Sequence, residues 1–382
     1  MFSFLKPHSM QFGLALLWGA VLPLNLFAQT GKSAEAGFSV ERLPVAVLTA
    51  SQVADGWIAL FDGHSLFGWR GGSASTWQVK NGNLVASMGN PSLLRTSSQF
   101  DDFELLLEYT SETPWQVMLR TSPRPSAEDA VMITAPAAPD LGVLRLRVEG
   151  REVSGTWNQE SIQPISRTTV LRGYFGLQAK GAAIRVKKIL LRPLFGPASS
   201  LSSLTDWRSS ESSSFEARQT SGQTISITGG PGYLESQRWF GNFVMQLQGR
   251  ISQGGNSGVF FRCIPKENTN GYESQIDNSQ LLGGDFLPAN GGTGGIFRRK
   301  DARSVPARDE VWFAKTLVVE GPHVAVWVNG YQVTDWTDKR EPDKNPRRGL
   351  RTSAGSLMLQ GHDAQTTVEF RDIHVRELAR RR

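Results

Sequence analysis

Short apolar runs separated by turn-forming residues recur along the whole chain. Residues 317–319 and 324–328 are continuous apolar runs, which are typical of strands covered on both faces. Asn329 and Gly330 follow the second run and tolerate positive φ, so they predict a tight hairpin turn. Residues 367–375 largely alternate polar and apolar side chains, which predicts a strand with one buried face. No long segment has helical periodicity, so we predict an all-β fold built from sandwiches.

The apolar and aromatic pattern occurs twice in the same order. Three motifs of the first half match three of the second: residues 66–70, 117–120 and 177–180 against residues 204–208, 259–262 and 359–362. Colinear matches of this kind are hard to produce by chance and indicate two copies of one unit in tandem. We predict a first domain over residues 50–195 and a second over residues 204–378, joined by a Ser-rich linker at 196–203.

The second copy carries polar side chains where a strand is normally apolar. A glycine-rich bend leads into an apolar strand that ends at Arg262. The next strand places Glu273, Gln275 and Asp277 at alternate positions, so their side chains point to one face of a sheet. This polar face is the candidate site.

The first copy lacks these polar residues. Residues 111–114 replace the glycine-rich bend, and no Tyr-Glu-x-Gln sequence follows Arg120. Lys180 stands where the second copy has His362. We therefore interpret the first copy as structural or carbohydrate-contacting, without chemistry of its own.

The N-terminus has the pattern of an export signal. Lys6 precedes an apolar run at residues 12–22, and Ala28 offers a small residue before a cleavage point. The run is too short to favour a membrane span, although a retained anchor is the alternative. We predict a signal peptide at residues 1–28 and an exported protein, periplasmic or extracellular, without a membrane span.

Cysteine usage and charge exclude two classes of protein. Cys263 is the only cysteine among 382 residues, which rules out an intrachain disulfide, and its apolar neighbours predict a buried, unreactive thiol. The net charge of +6 is modest, and part of it comes from residues 380–382. No stripe of Lys and Arg interleaved with aromatic residues is present, so we predict no nucleic-acid partner.

Four segments resemble those of the 3-keto-disaccharide hydrolase domain family: residues 56–63, 256–262, 272–278 and 359–363. The family is also described as 3-keto-glucoside 1,2-lyase/3-keto-2-hydroxy-glucal hydratase. The resemblance covers most of the chain, with the first copy degenerate, and implies two concanavalin A-like jelly-roll sandwiches in tandem. The strand at residues 56–63 stands only before the first copy. We therefore expect the second copy to borrow an edge strand or to have a shortened sheet.

The resemblance implies chemistry on 3-keto-glycosides. A keto group at C3 acidifies the C2 proton, so a base can take that proton, the group on C1 can leave, and water can add back. Glu273 and His362 are the side chains best suited to transfer these protons. Arg262 would stabilise the enolate oxygen or hold a hydroxyl. The remaining polar side chains would bind the sugar or orient the imidazole: Gln275, Gln360, Asn256, Asp277 and Asp363.

Several of these residues also have structural interpretations. Glu273 and Arg262 would form a cross-strand ion pair. Asp277 would cap a turn, and residues 297–300 would form a solvated loop that could also line the cleft. A divalent metal held by Glu273, Asp277 and His362 is a further way to stabilise the enediolate.

The alternative function is that of a non-catalytic, lectin-like carbohydrate-binding protein, since sandwiches of this kind serve many roles. An enzyme predicts that Glu273 and His362 lie close together on one face, with Arg262 beside them. A lectin-like protein predicts that they lie apart. The enzyme would act on a 3-keto-sugar and would need a sugar oxidoreductase to supply it.

Overall fold

The computed structural model describes residues 48–379, apart from residues 74–75, 88–90, 123–130, 167–171, 182, 212, 268 and 282–286. The predicted signal peptide at residues 1–28 and the arginines at 380–382 lie outside the described residues. Nearly all regular structure in the described part is antiparallel β, which confirms the all-β prediction. One α-helix is described, Ala50–Ala54. No described helix is long and apolar enough to cross a membrane.

Fourteen described strands come from the first half of the chain and form two sheets. They are β1 Ile58–Ala59, β2 Trp69–Gly71, β3 Trp77–Lys80, β4 Asn83–Ala86, β5 Ser92–Phe100, β6 Phe103–Ser111, β7 Trp115–Thr121, β8 Val131–Ala135, β9 Ala138–Glu149, β10 Glu152–Trp157, β11 Glu160–Ser161, β12 Ile165–Ser166, β13 Gly173–Ala179 and β14 Ile184–Pro193. One sheet has the order β11-β10-β9-β6-β14-β4-β3, with β1 beside β14 and β12 beside β10. The other has the order β2-β5-β13-β7-β8.

Twelve described strands come from the second half and form two further sheets. They are β15 Trp207–Ser209, β16 Glu216–Thr220, β17 Thr224–Thr228, β18 Gly232–Phe240, β19 Phe243–Ile251, β20 Ser257–Cys263, β21 Tyr272–Ile276, β22 Phe313–Glu320, β23 His323–Val328, β24 Tyr331–Thr337, β25 Gly355–Gly361 and β26 Thr367–Glu377. The five-stranded sheet has the order β15-β18-β25-β20-β21, and the seven-stranded sheet β16-β17-β26-β19-β22-β23-β24. Short 3-10 helices lie at Pro197–Ser199, Leu204–Asp206 and Ser221–Gln223.

Each pair of sheets encloses its own hydrophobic core. Because successive side chains of a strand point to opposite faces, alternate residues enter the core. In the second pair, Val259 and Phe261 of β20 pack in one cluster with Leu317 and Val319 of β22. The result is two sandwiches in tandem, with paired antiparallel sheets in a jelly-roll-like arrangement.

The outer face of the seven-stranded sheet is buried as well. Val318, Ala325 and Trp327 belong to the hydrophobic cluster of the first sandwich rather than to that of the second. The indole nitrogen of Trp327 donates to the carbonyl of Ala59, in β1, at 3.0 Å. The first sandwich therefore covers β22 and β23 from outside, which confirms the prediction that residues 317–319 and 324–328 are covered on both faces.

Two further local predictions are confirmed. Asn329 and Gly330 join β23 to β24 with φ values of 50° and 75°, as a two-residue hairpin turn requires. In β26, Val368 and Phe370 point into the core. A bulge at Asp372, with φ of 50°, then shifts the alternation by one residue.

Of the two expectations for the opening of the second copy, the borrowed edge strand is wrong and the shortened sheet agrees with the structure, because Ser200 forms only an isolated bridge to His374 where the first copy has β1. The backbone nitrogen of Leu201 donates to the carbonyl of Ile373 at 2.8 Å, just as that of Leu60 donates to the carbonyl of Ile189 at 2.9 Å. The Leu201 carbonyl accepts a hydrogen bond from the Trp207 indole at 2.9 Å, and the Leu60 carbonyl accepts the equivalent bond from Trp69. Part of the predicted linker at 196–203 is thus the second copy's own opening segment.

Candidate functional site

The candidate site lies on the outer face of the five-stranded sheet. Tyr272 and Ile276 of β21 point into the second core, so the intervening Glu273 and Gln275 point away from it. On the neighbouring strand β20, Phe260 pairs with Glu273 and Gly258 pairs with Gln275. The structure therefore brings Glu273 and Gln275 to one face, as the alternation predicts.

The Glu273 carboxyl group is buried and partly paired. Its side chain is 7% exposed, and Oε2 lies 4.0 Å from Nη2 of Arg347. With its nitrogen turned toward Glu273, the Gln275 carboxamide donates to Oε1 at 3.0 Å and to the carbonyl of Ser257 at 3.2 Å. Burial raises the pKa of Glu273 to about 7, although the positive charges of Arg347 and His362 act in the opposite direction. Such a carboxyl group can both accept and donate a proton near neutral pH.

A glycine makes room for this carboxyl group. A Cβ atom on Gly258 would lie only 2.6 Å from Oε1 of Glu273, with no room for both atoms. Since β20 and β21 pair here without an intervening side chain, the carboxylate folds over the bare backbone of Gly258. The glycine at position 258 is therefore a steric requirement of the site.

We expect Gly258→Ala to displace the Glu273 carboxylate while leaving the fold intact, because the clash is with the end of a flexible side chain. A displacement of about 1 Å costs roughly 10²-fold in rate for a positioned catalytic group. Turnover and thermal unfolding measured on the same preparation check this. Gly196→Ala is the matched control, because a Cβ atom there meets no atom within 4 Å. Full activity in Gly258→Ala would contradict the placement.

A pocket of about 200 Å³ opens beside Glu273. Its lining includes Phe297, Arg298, Arg299 and Arg347. The backbone nitrogen of Phe297 donates to the carbonyl of Glu273 at 3.0 Å, which fixes this segment along β21. Phe297, Arg298 and Arg299, which we interpreted mainly as a solvated loop, thus line the cleft. A larger cavity of about 500 Å³ lies elsewhere, near Trp57 and His374, and none of the predicted site residues lines it.

His362 directly follows β25 and is half-exposed. Its Nδ1 atom lies 2.8 Å from Oδ2 of Asp363, so Asp363 rather than Asp277 orients the imidazole. The charge of His362 acts on Glu273, where it lowers the pKa of the carboxyl group. Its Nε2 atom makes no hydrogen bond to any residue in the described part of the chain. This nitrogen is therefore available to a ligand.

Asp277 caps a turn and binds two side-chain amides. Its Oδ1 atom accepts from the backbone nitrogen of Ser279 at 2.8 Å. Its Oδ2 atom accepts from Nδ2 of Asn290 at 3.0 Å and more weakly from Nδ2 of Asn256 at 3.4 Å. Both carboxylate oxygens are thus engaged, and Asn256 contacts Asp277 at the edge of the site. The capping interpretation of Asp277 is confirmed.

Gln360 shares the outer face with Glu273. Its strand neighbours Leu357 and Leu359 point into the core, so Gln360 points outward beside Gly258. Its Oε1 atom is buried and accepts no hydrogen bond from the described residues. A buried acceptor without a donor is costly, so this oxygen can gain from a sugar hydroxyl.

The prediction that Arg262 lies beside Glu273 is wrong. The guanidinium is 1% exposed and donates to three backbone carbonyls, those of Gly241, Gly321 and Arg351, at 2.6 to 3.0 Å. Nη2 also donates to Oδ1 of Asn242 at 3.1 Å. The physical reason is the backbone, since a φ of 50° at Arg262 interrupts the strand alternation and turns the side chain toward the turns at the sandwich end.

The first copy repeats this arrangement without any candidate chemistry. Arg120 has a φ of 53° and donates to the carbonyls of Asp101 and Gly150 and to Oδ1 of Asp102. These acceptors occupy turns equivalent to those that Arg262 binds. Because the arginine persists where Glu273 has no counterpart, we assign Arg262 a structural role.

Lys315 supports β21 from inside the sandwich and was missed by the sequence analysis. Its Nζ atom donates to the carbonyl and hydroxyl of Ser274 at 3.1 and 3.2 Å and to the carbonyl of Gln275 at 2.9 Å. Burial lowers the pKa of this amine to about 7. A lysine in an apolar-looking strand at alternate spacing is the signal that could have identified it. Arg347 offers no such signal, because it approaches Glu273 from a distant loop.

The predicted metal ligands do not converge. Among the described residues, no three His, Cys, Asp or Glu side chains lie close enough to hold a metal ion. Both carboxylate oxygens of Asp277 are engaged by its turn and its amide partners. We therefore derive no chemical step from a metal bound by Glu273, Asp277 and His362.

Cys263 is buried and free, as predicted. Burial raises the pKa of its thiol well above the usual range, which keeps it protonated and unreactive.

Comparison with known proteins gives a family and several distant structural likenesses. No curated protein sequence matches the chain. A candidate glycosyl hydrolase of Parabacteroides distasonis is 20% identical, with 45% of this chain and 99% of that chain covered and a TM-score of 0.36. A carbohydrate-binding module of Bacillus subtilis is 14% identical, with 33% and 95% covered and a TM-score of 0.29. A Bacillus subtilis protein with a galectin-like fold is 18% identical, with 50% and 96% covered and a TM-score of 0.31.

The family match covers both copies. Residues 56–136 and 196–376 match the 3-keto-alpha-glucoside-1,2-lyase-like domain, and together they make up more than half of the chain. The second segment contains Glu273, its partner Arg347 and His362. The chain therefore belongs to the 3-keto-alpha-glucoside-1,2-lyase-like domain family, with two tandem copies of the domain.

Proposed function

We propose that the chain is an exported enzyme that cleaves 3-keto-glycosides by elimination across C1 and C2, followed by hydration. Membership of the family gives the chain a carbohydrate-related function. The observation that carries the finer proposal is the buried carboxyl group of Glu273, with a pKa of about 7, at the wall of a pocket. A base of this strength is suited to take a carbon-bound proton acidified by a neighbouring ketone.

In the elimination step, the Glu273 carboxylate takes the C2 proton. Negative charge then develops on the C3 oxygen, and the guanidinium of Arg347, close to Glu273, stabilises it. The bond between C1 and the glycosidic oxygen breaks, and the leaving oxygen receives a proton from His362. The products are the free aglycone and a 2-hydroxy-3-keto-glucal.

In the hydration step, the same two residues reverse their roles. Water adds to C1 and gives its proton to His362, while protonated Glu273 returns a proton to C2. The product is a 3-keto-sugar, and the net reaction is hydrolysis. Because the substrate must already carry a ketone at C3, a separate sugar-oxidising reaction has to supply it.

We expect His362→Ala to lower kcat on an aryl 3-keto-glucoside by about 10²-fold, because the leaving group then departs without a proton donor. Release of the aryl alcohol, followed by absorbance, measures this. Lys180→Ala is the matched control, since Lys180 holds the equivalent position in the first copy. An aryl leaving group of low pKa should restore much of the lost rate. Equal losses with good and poor leaving groups would contradict the role.

The test of the proposal itself is turnover of the full-length protein on 3-keto-glucosides, with and without a chelator. Aglycone release that depends on Glu273 supports the enzyme. Binding of the glycoside without turnover, under all these conditions, would instead support the lectin-like alternative. A loss of turnover in the presence of the chelator would show that the reaction depends on a metal, whichever residues bind it.

A further inference from the structure

Arg298 is exposed and lines the pocket beside Glu273. Among the described residues, none forms a hydrogen bond or an ion pair with this guanidinium; its described contact is the Phe297 ring, 5.0 Å away. Its charge nevertheless reaches Glu273, where it lowers the pKa of the carboxyl group. The guanidinium fork of this exposed arginine is suited to bind carboxylates, sulfates and phosphates.

The backbone holds Arg298 in an unfavourable conformation. Its φ is 57°, in the left-handed region that costs a non-glycine residue about 1 kcal/mol or more. The turn is fixed by hydrogen bonds between Ile296 and Lys300 in both directions, at 2.7 and 2.9 Å. It is also tied to β21 through Phe297 and Glu273. The site thus holds Arg298 in a defined place relative to Glu273.

The other two arginines of the pocket have partners among the described residues. Arg299 donates to the carbonyls of Arg298 and Arg347. Arg347 donates to the carbonyl of Thr269 at 2.9 Å and lies near Glu273. Three guanidinium groups therefore line the pocket against one carboxyl group, which leaves it positively charged even when Glu273 is ionised.

We propose that Arg298 forms an anion subsite, so that the glycoside bound next to Glu273 carries a negatively charged group. This inference deepens the function proposed above and rests on it. The group is a carboxylate or a sulfate ester, because either matches the guanidinium fork. This group lies either on the aglycone or on the sugar ring. Substrates with the charge at one or the other position distinguish the two.

The test measures the turnover of three 3-keto-glycosides by the full-length protein. They are a neutral phenyl glucoside, its 4-carboxyphenyl analogue and the phenyl glucuronide. At low ionic strength we expect at least one anionic substrate to exceed the neutral one about tenfold in kcat/KM, mainly through KM. Arg298→Gln should remove this preference, so that the anionic and the neutral substrates have the same kcat/KM in that variant. Arg308→Gln, which removes an exposed arginine outside the pocket lining, should keep it.

Two results overturn the subsite: equal kcat/KM for all three substrates in the unmodified protein, or a preference that persists in Arg298→Gln. If no substrate turns over, the proposed function fails, and calorimetric binding of the corresponding glucoside and glucuronide still decides the subsite. Tighter, Arg298-dependent binding of an anionic glycoside would support it. Equal binding, or none, would overturn it.

Discussion

We expect Glu273→Gln to lower kcat/KM for a 3-keto-glycoside by about 10³-fold, because the variant has no base for the C2 proton. Glutamine has nearly the same shape, so it keeps its place over Gly258 and beside Gln275. Substrate binding should therefore change little, and the loss should appear in kcat. Aglycone release and equilibrium binding, measured on one preparation, separate the two effects. Glu211→Gln, at an exposed carboxylate, is the control.

The same substitution should stabilise the protein at alkaline pH. The pKa of Glu273 rises from 4.5 to about 7 on folding, so the folded state binds the proton more tightly than the unfolded state. The resulting stability is fully present below about pH 4.5 and is lost as the pH rises through about 7. Glutamine avoids this loss, which amounts to about 3 kcal/mol at most at pH 8.

Thermal unfolding at pH 4.5 and pH 8 tests this linkage. The melting temperature of Glu273→Gln should exceed that of the unmodified protein at pH 8 by several degrees more than at pH 4.5. The same difference at both pH values would show that Glu273 is not held at a raised pKa. It would also remove the main argument for Glu273 as a base near neutrality.

The second large effect is expected at Arg262. Arg262→Ala should lower the free energy of unfolding of the second sandwich by about 3–5 kcal/mol, because three backbone carbonyls and the Asn242 side chain lose a buried charged donor. Arg120→Ala should destabilise the first sandwich in the same way. Urea unfolding followed by tryptophan fluorescence measures both.

Arg298→Gln is the control for this stability measurement, since the side chain of Arg298 donates no hydrogen bond to a described residue. Its unfolding midpoint should stay within experimental error of the unmodified protein. If Arg262→Ala has the unfolding midpoint of the unmodified protein but a lower substrate affinity, the structural assignment of Arg262 is incorrect. The sequence-based substrate-binding role would then be restored.

The part of the site that follows from local sequence was predictable. A strand has a period of two residues, so Glu273 and Gln275 could be placed on one face without knowledge of the fold. His362 and Gln360 were found because the end of β25 can be aligned with the first copy. The hairpin at Asn329 follows from turn chemistry that involves only two residues.

The residues that were misplaced depend on backbone conformation or on distant contacts. A left-handed φ at Arg262 breaks the alternation, and no rule of periodicity reveals it. The equivalent Arg120, retained in a copy without Glu273, was the available signal for a structural role. Arg347 reaches Glu273 from a loop, so only the folded chain places it. Arg298 belongs to a loop that was expected mainly to be solvated, with lining of the cleft as the alternative. The opening segment at Leu201 was hidden because its neighbours have the composition of a linker.

The most direct measurement of the central claim is the fate of deuterium placed at C2 of an aryl 3-keto-glucoside. If Glu273 takes the C2 proton and bond cleavage follows by elimination, aglycone release should show a primary deuterium isotope effect, and the 3-keto-glucose should lose deuterium as the Glu273 carboxyl group exchanges with water. The loss must exceed the exchange of the same compounds measured without protein. Product that retains the deuterium, formed without a primary deuterium isotope effect on aglycone release, would mean that water attacks C1 directly, and would contradict the elimination mechanism and the role assigned to Glu273.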